Sequence, residues 1–396
     1  MKRVRASAMF YAVTVAVLIG SVSSSIVLLD HHQNLRVSRV LAMEHARDLA
    51  LAALHTAPPL TAAAPAWSGR LDPFRSGQRT VEVQVEPWGL FEAVSATATH
   101  ADRTVKATGL RGRYLDTMAT LHIDRRAGLL HMCGDARVHG RAFVPRAEVR
   151  RGHIAGKPLT GHRLIDAVVH SSSEHQITVI NADVHRRVRH VMDELDHASA
   201  GHTTAAGHLN DPGLAQQVVI MSRDTLVIGP ACALRNAIIR APFIRLLGGV
   251  RGSVQCFADR GIRVDSAAVL EFPSALCTVR GPQDARVAPI VIASGAQVQG
   301  TVLALDGSIR GKSEPLVVLE RGAVLDGELF AQGAADIRGL VHGRAIVGSL
   351  CVRTDGSLFG DHLLDGEIGP ARTTLVSAGT LGTDREPCLL TWSVIP

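Results

Sequence analysis

Aromatic side chains are scarce, at 4% of 396 residues (Phe 9, Trp 3, Tyr 2). That excludes a core built on large rings. The 46% hydrophobic fraction must be met by Val, Ile, Leu and Ala. Catalytic signatures are missing as well: no P-loop, no G-x-S-x-G and no clean G-x-G-x-x-G occur. The six cysteines contain no C-x-x-C pair, which argues against a zinc site. Net charge is a modest +6, and Lys/Arg alternate with Asp/Glu through most of the chain, so no nucleic-acid partner is expected.

Charge is absent altogether from Ala6 to Leu29, a run of 24 residues. A bilayer core of about 30 Å needs about 20 such residues in a helix. Lys2, Arg3 and Arg5 precede the run. The positive-inside rule then puts residues 1–5 in the cytoplasm and everything after Asp30 outside. A cleaved signal peptide with Ser21, Ser23 or Ser25 at its cleavage site is the alternative, and Ile26 to Leu29 carry the apolar run past it. Either way the body is exported. The expected location is the inner membrane, with the body in the periplasm or at the cell surface.

Residues 30–55 lack Pro and Gly, so the helix is expected to continue as a stalk, about 74 Å long from Ala6 to Leu54 at about 1.5 Å per residue. Leu28, Leu35, Ala42 and Leu49 recur every seven residues and mark a helix-packing stripe. The Pro/Ala stretch around residues 57–66 breaks the helix. Period-two alternation follows: Val81, Val83 and Val85 against Glu82, Gln84 and Glu86, a turn at Pro87-Trp88-Gly89-Leu90, then Phe91 and Ala93 opposed to Val94, Ala96 and Ala98. Residues 56–125 thus read as an antiparallel meander with one wet face.

Internal repeats dominate the rest. Ser294–Ala304 and Arg321–Ala331 are 27 positions apart and share Gly295/Gly322 and Gly300/Gly327. VHGRAFV at 138–144 and VHGRAIV at 341–347 differ at one position and align Gly140 with Gly343. These six glycines are expected at rung corners, where φ is positive or backbones crowd. Residues 126–169 form a Gly-rich β segment, 170–217 a helical or loop insertion, 218–365 an irregular right-handed parallel β-helix and 366–396 a C-terminal segment. A β-sandwich with chance glycine matches is the rival. The fold class is therefore mainly β. Cys232, Cys256 and Cys277, spaced by 24 and 21 residues, are expected as an inward thiol ladder, with disulfides as the alternative in an exported body.

No catalytic, cofactor or metal residues are assigned. His185 and His190 are five apart, which splits them around a helix. His139 and His342, in the repeated VHGRA, read as outward residues beside a corner glycine rather than a general base. Asp306 with Asp326 or Glu328 fits a polysaccharide-cleaving acid pair poorly, because the 27-residue register does not align them.

The membrane helix, the run VEVQVEPWGLFEAVSA and the segment Cys133–Gly161 resemble an uncharacterised group of pilin-like, single-span envelope proteins of Gram-negative bacteria, over residues 6–165. The later rungs resemble those of bactofilins in pattern. The resemblance implies a long helix on a small sheet and supplies no activity. The chain departs from true prepilins: no Gly ends a leader and no Glu follows at the fifth position, since the first acid is Asp30. A non-enzymatic, membrane-anchored scaffold or adhesion protein is expected. Its partners would be the membrane, further copies or envelope machinery, and possible polysaccharide. The alternatives are a β-helical enzyme on envelope polysaccharide and a pseudopilin-like subunit of a secretion or competence machine.

Overall fold

The computed structural model describes residues 6–60, 66–73, 81–114, 120–124, 126–172, 188–193, 203–204, 208–209, 219–280, 289–306, 314–371, 376–377 and 387–395. The chain is mainly β, with one long N-terminal helix, a small antiparallel sheet and a body of parallel strands.

Helix α1 (Ala6–Thr56) changes character along its length. Residues 9–41 are exposed, including Leu28 (61%) and Leu35 (40%). From Ala42 onward one stripe is buried: Ala42, Ala46, Leu49, Ala50, Ala53 and Leu54. That is the i, i+4, i+7, i+8 spacing of a helix laid on a surface. The surface is one face of the antiparallel sheet formed by β1 (Trp67–Leu71), β2 (Val81–Trp88), β3 (Phe91–His100) and β4 (Arg103–Tyr114). Val81, Val83, Val85, Val94, Ala96 and Ala98 meet the helix, as the alternation predicts. Small residues on both sides let the helix approach closely.

The sheet's last strand is the C-terminal Pro387–Ile395, which pairs antiparallel with β4. The parallel body is thus inserted between two neighbouring strands of the small sheet. The sheet's other face packs Leu90, Phe91 and Leu110 on an outward row of the body that includes Phe257, Cys277, Leu303, Phe330 and Ile346. Three layers result: helix, antiparallel sheet and parallel body.

In the body, successive parallel strands pair in register. One inward column runs Ile239, Cys256, Leu276, Val302, Leu329 and Ala345 and continues to Leu121 of β5 (Leu121–Ile123) and Ala142 of β7 (Arg137–Val144). The strand β6 (Leu130–Cys133) lies beside this stack in a separate three-stranded sheet. The early VHGRA segment therefore does join the later rungs, but next to the last of them: Val138 pairs with Ile368, and Ile368 with Val341. The chain enters the stack at one end, reaches the other by Val219–Met221, and works back rung by rung to where it began.

All six repeat glycines have positive φ: Gly140 (93°), Gly295 (77°), Gly300 (145°), Gly322 (82°), Gly327 (152°) and Gly343 (147°). Gly295 and Gly322 sit in turns. Gly300, Gly327 and Gly343 lie within strands, stacked one on the next. There the reason is crowding by the neighbouring rung's backbone as well as conformation.

The expected thiol ladder does not form. Cys256 pairs in register with Leu276, while Cys277 pairs with Phe257. Successive residues of a strand alternate faces, so Cys256 points into the body and Cys277 outward under the antiparallel sheet.

Candidate functional site

Three regions hold polar chemistry or unpartnered apolar surface. The first is the exposed part of α1. It is the one described helix long and apolar enough to cross a membrane, and its apolar window has no buried residue. Exposed Met9 to Leu29 has no protein layer against it. It is a candidate membrane anchor. Of the predicted stripe, Leu28 and Leu35 are on this free part, while Ala42 and Leu49 belong to the half laid on the chain's own sheet.

The junction between helix, sheet and body is held by two polar contacts. Arg111 and Glu92 are 1% and 6% exposed. Arg111 Nε and Nη2 both donate to Glu92 Oε2, at 2.9 and 2.6 Å. Its Nη1 and Nη2 donate to the carbonyls of Ala57 (2.6 Å) and Pro58 (2.7 Å). Glu92 Oε1 accepts from the Leu60 amide at 3.2 Å. The pair ties the segment after the helix to the sheet. Gln255 of the body does the same for the turn. Its Oε1 accepts from the Leu90 amide (2.8 Å) and its Nε2 donates to the Trp88 carbonyl (3.1 Å). A Cβ on Gly89 would lie 2.1 Å from that Oε1, so the glycine makes room for the lock.

The second region is the column through the repeated VHGRA. Register places Gln299, Asp326, His342 and Gly369 on successive rungs, and Gly369 lies against the His139 ring. His342 is buried, not solvated as the sequence suggested, and its Nδ1 is 2.8 Å from Asp326 Oδ1. His139 Nε2 is 3.7 Å from Glu367. Each repeated histidine thus faces one carboxylate. Two residues on, Arg344 donates to the fully buried Glu328 at 2.6 Å. Asp306 is opposite Arg280 and far out of step with Asp326. The acids considered for polysaccharide cleavage are therefore not brought face to face.

The third is a polar cleft of about 830 Å³ lined by Glu314, Glu320, Arg321, Asp336, Arg338 and Arg353 with the 354–358 turn. Asp336 accepts from Arg338 (2.7 Å) and from the Arg353 amide (3.1 Å), and Arg353 pairs with Glu314. Asp336 and Glu314 are thus occupied by guanidinium groups, and Glu320 accepts from the Ser294 amide at 3.0 Å. Among the described residues no group of three or more His, Cys, Asp or Glu is placed to hold a metal. His185 lies outside the described residues, and His190 lies on the short helical stretch 188–193.

Thiol chemistry is suppressed in the body. Burial pushes the Cys256 and Cys277 thiols far up. Burial, then the Asp336 charge, pushes Cys351 up to about 12. The thiolate is the reactive form. At pH 8, iodoacetamide followed by mass spectrometry is expected to leave these three unmodified in the folded chain and to modify all three in guanidinium. Rapid labelling of the folded chain would contradict this packing.

No family model and no curated protein matches the chain. Among solved structures, the competence-associated pilin ComZ from Thermus thermophilus matches over 92% of this chain and 95% of its own, at 8% identity and a TM-score of 0.22, a level at which the likeness carries no argument.

Proposed function

We propose that this chain is a single-span envelope protein whose body is a right-handed parallel β-helix standing outside the cytoplasm as a non-enzymatic scaffold. The observation that carries the reading is the split in α1 at Ala42. The part before it is apolar and uncovered, and the part after it is fixed on the chain's own sheet. The uncharged run ends at Leu29, so Ala42 lies about 20 Å beyond it along the helix. Lys2, Arg3 and Arg5 keep the N-terminus in the cytoplasm. In this reading Leu28 and Leu35 pack against the helix of another copy or of an envelope protein.

The test is fractionation of the full chain in a Gram-negative host. It is expected to resist alkaline carbonate extraction. Protease added to spheroplasts is expected to digest the body while an N-terminal tag survives. A chain released by carbonate, or a body protected in spheroplasts, would overturn the anchor or its orientation. Light scattering of the detergent-solubilised chain addresses assembly. An oligomer that Leu35→Glu dissociates supports the helix contact, and a monomeric wild type removes it.

A further inference from the structure

Residues 137–163 carry seven Lys/Arg and a single acid, Glu148. The stretch is net +6, the same as the whole chain, so the other 369 residues sum to zero. The net charge of the sequence thus falls within this one stretch, and in the fold Asp135, Asp166, Asp365 and Glu367 lie against it. All seven cations are exposed.

The fold keeps them together. They lie on β7, on strands Val149–Arg151 and Lys157–Pro158, and on the connecting turns. This is the end of the body where β7 pairs with Asp166–Ser171. Three cations are matched locally: Arg150 by Glu148 (2.6 Å), Lys157 by Asp365 (2.9 Å) and Arg163 by Asp166 (3.2 Å). Arg151 is spent on the carbonyls of Gly161 (3.4 Å) and His162 (3.0 Å). Arg137, Arg141 and Arg146 have no carboxylate within ion-pair distance among the described residues. Next to Arg150, the His131 and His362 rings stack at 4.7 Å. Burial first, and then the His362 and Arg150 charges, hold His131 below its usual range, with Asp361 acting the other way.

A one-ended positive field draws in polyanions. The shape of this end narrows the class. It is a β surface on which Arg137 and Arg141 stand four residues apart along β7, about 13 Å, with Arg146 in the turn that follows and Glu367 beside Arg137 on the next strand. Among the described residues no helix projects from it to enter a nucleic-acid groove. Among the described residues Phe143, the one Phe, Tyr or Trp of the stretch, is stacked between His122 (5.3 Å) and His170 (5.1 Å) rather than left open to a base. Guanidinium forks suit carboxylates spaced along a chain of sugars. We propose that the basic end of the body, through Arg137, Arg141 and Arg146, binds an acidic polysaccharide. The inference holds whether or not α1 spans a membrane.

The experiment uses the full chain in detergent and polygalacturonate as the probe, at low salt. Binding is expected, weakening as salt rises through the range where the Debye length falls to about 8 Å. The triple variant R137E/R141E/R146E is expected to lose roughly tenfold or more, and R235E/R251E/R321E, a reversal of equal size on other exposed arginines, little. Should the first triple unfold, R137Q/R141Q/R146Q reads the same loss. No binding to polygalacturonate, equal binding to neutral dextran, or equal loss in both reversals would overturn the site. Tighter binding of single-stranded DNA than of polygalacturonate would overturn the polysaccharide assignment.

Discussion

Replacing Gly327 with alanine is expected to destabilise the body by more than about 4 kcal/mol, beyond the usual range for a single methyl group. Two effects add. The backbone at Gly327 has φ 152°, a region L side chains rarely adopt. A Cβ built there would lie 1.8 Å from the carbonyl oxygen of Gly300 on the rung beneath. That atom cannot swing aside, because its rung is held in turn by the one below: a Cβ on Gly300 would be 1.9 Å from the Ser274 carbonyl. Relief therefore means parting two rungs and the inward pairs Leu325 and Val298, and Leu329 and Val302, that lie beside the glycines. Gly156→Ala separates the two effects. Its φ is 78° and nothing lies within 4 Å of the new carbon, so only the conformational cost of about 1–2 kcal/mol is expected. Urea melts of both variants decide it. Equal small losses would mean that the rungs are less tightly stacked than the register indicates.

Those glycines were legible in the sequence because a repeat exposes what each copy has to preserve. Their conformation followed, but their place did not: four sit inside strands, three of them where backbones crowd, which one-dimensional spacing cannot distinguish from a corner. The helix and the meander were legible for a similar reason, since one period fixes one face. The thiol ladder failed because rung lengths vary. A spacing of 24 then 21 residues moves Cys277 by one position relative to Cys256, and in a strand one position reverses the face. The strand Pro387–Ile395 was missed because it completes a sheet begun at Trp67, and no local pattern links the two. Gln255 left no signal, being one polar residue among many. Arg111 and Glu92 did leave one. Glu92 is in phase with Val94, Ala96 and Ala98, and Arg111 with Val105 and Ala107. Two ionisable groups of opposite sign on an otherwise apolar face call for each other, and the register pairs them directly.

That pair carries the second large effect. Arg111→Met is expected to cost about 3–5 kcal/mol, because it leaves the Glu92 carboxylate buried without its partner and strips the hydrogen bonds from the carbonyls of Ala57 and Pro58. Glu92→Met should cost a similar amount by stranding the guanidinium. The double variant R111M/E92M is expected to recover a large part of either loss, since no charge is then left buried and two linear apolar side chains fill the volume. The missing part should be local. Ala57, Pro58 and Leu60 lose their tie to the sheet, so hydrogen exchange at the end of α1 should rise in the double variant while the body's rungs keep their protection. If the double variant were as unstable as the sum of the singles, the pair would be acting through its contacts to the helix end alone. If all three variants melted like the wild type, the junction would owe its stability to the Val/Ala packing between α1 and the sheet. The clamp would then set only the angle at which the helix leaves it.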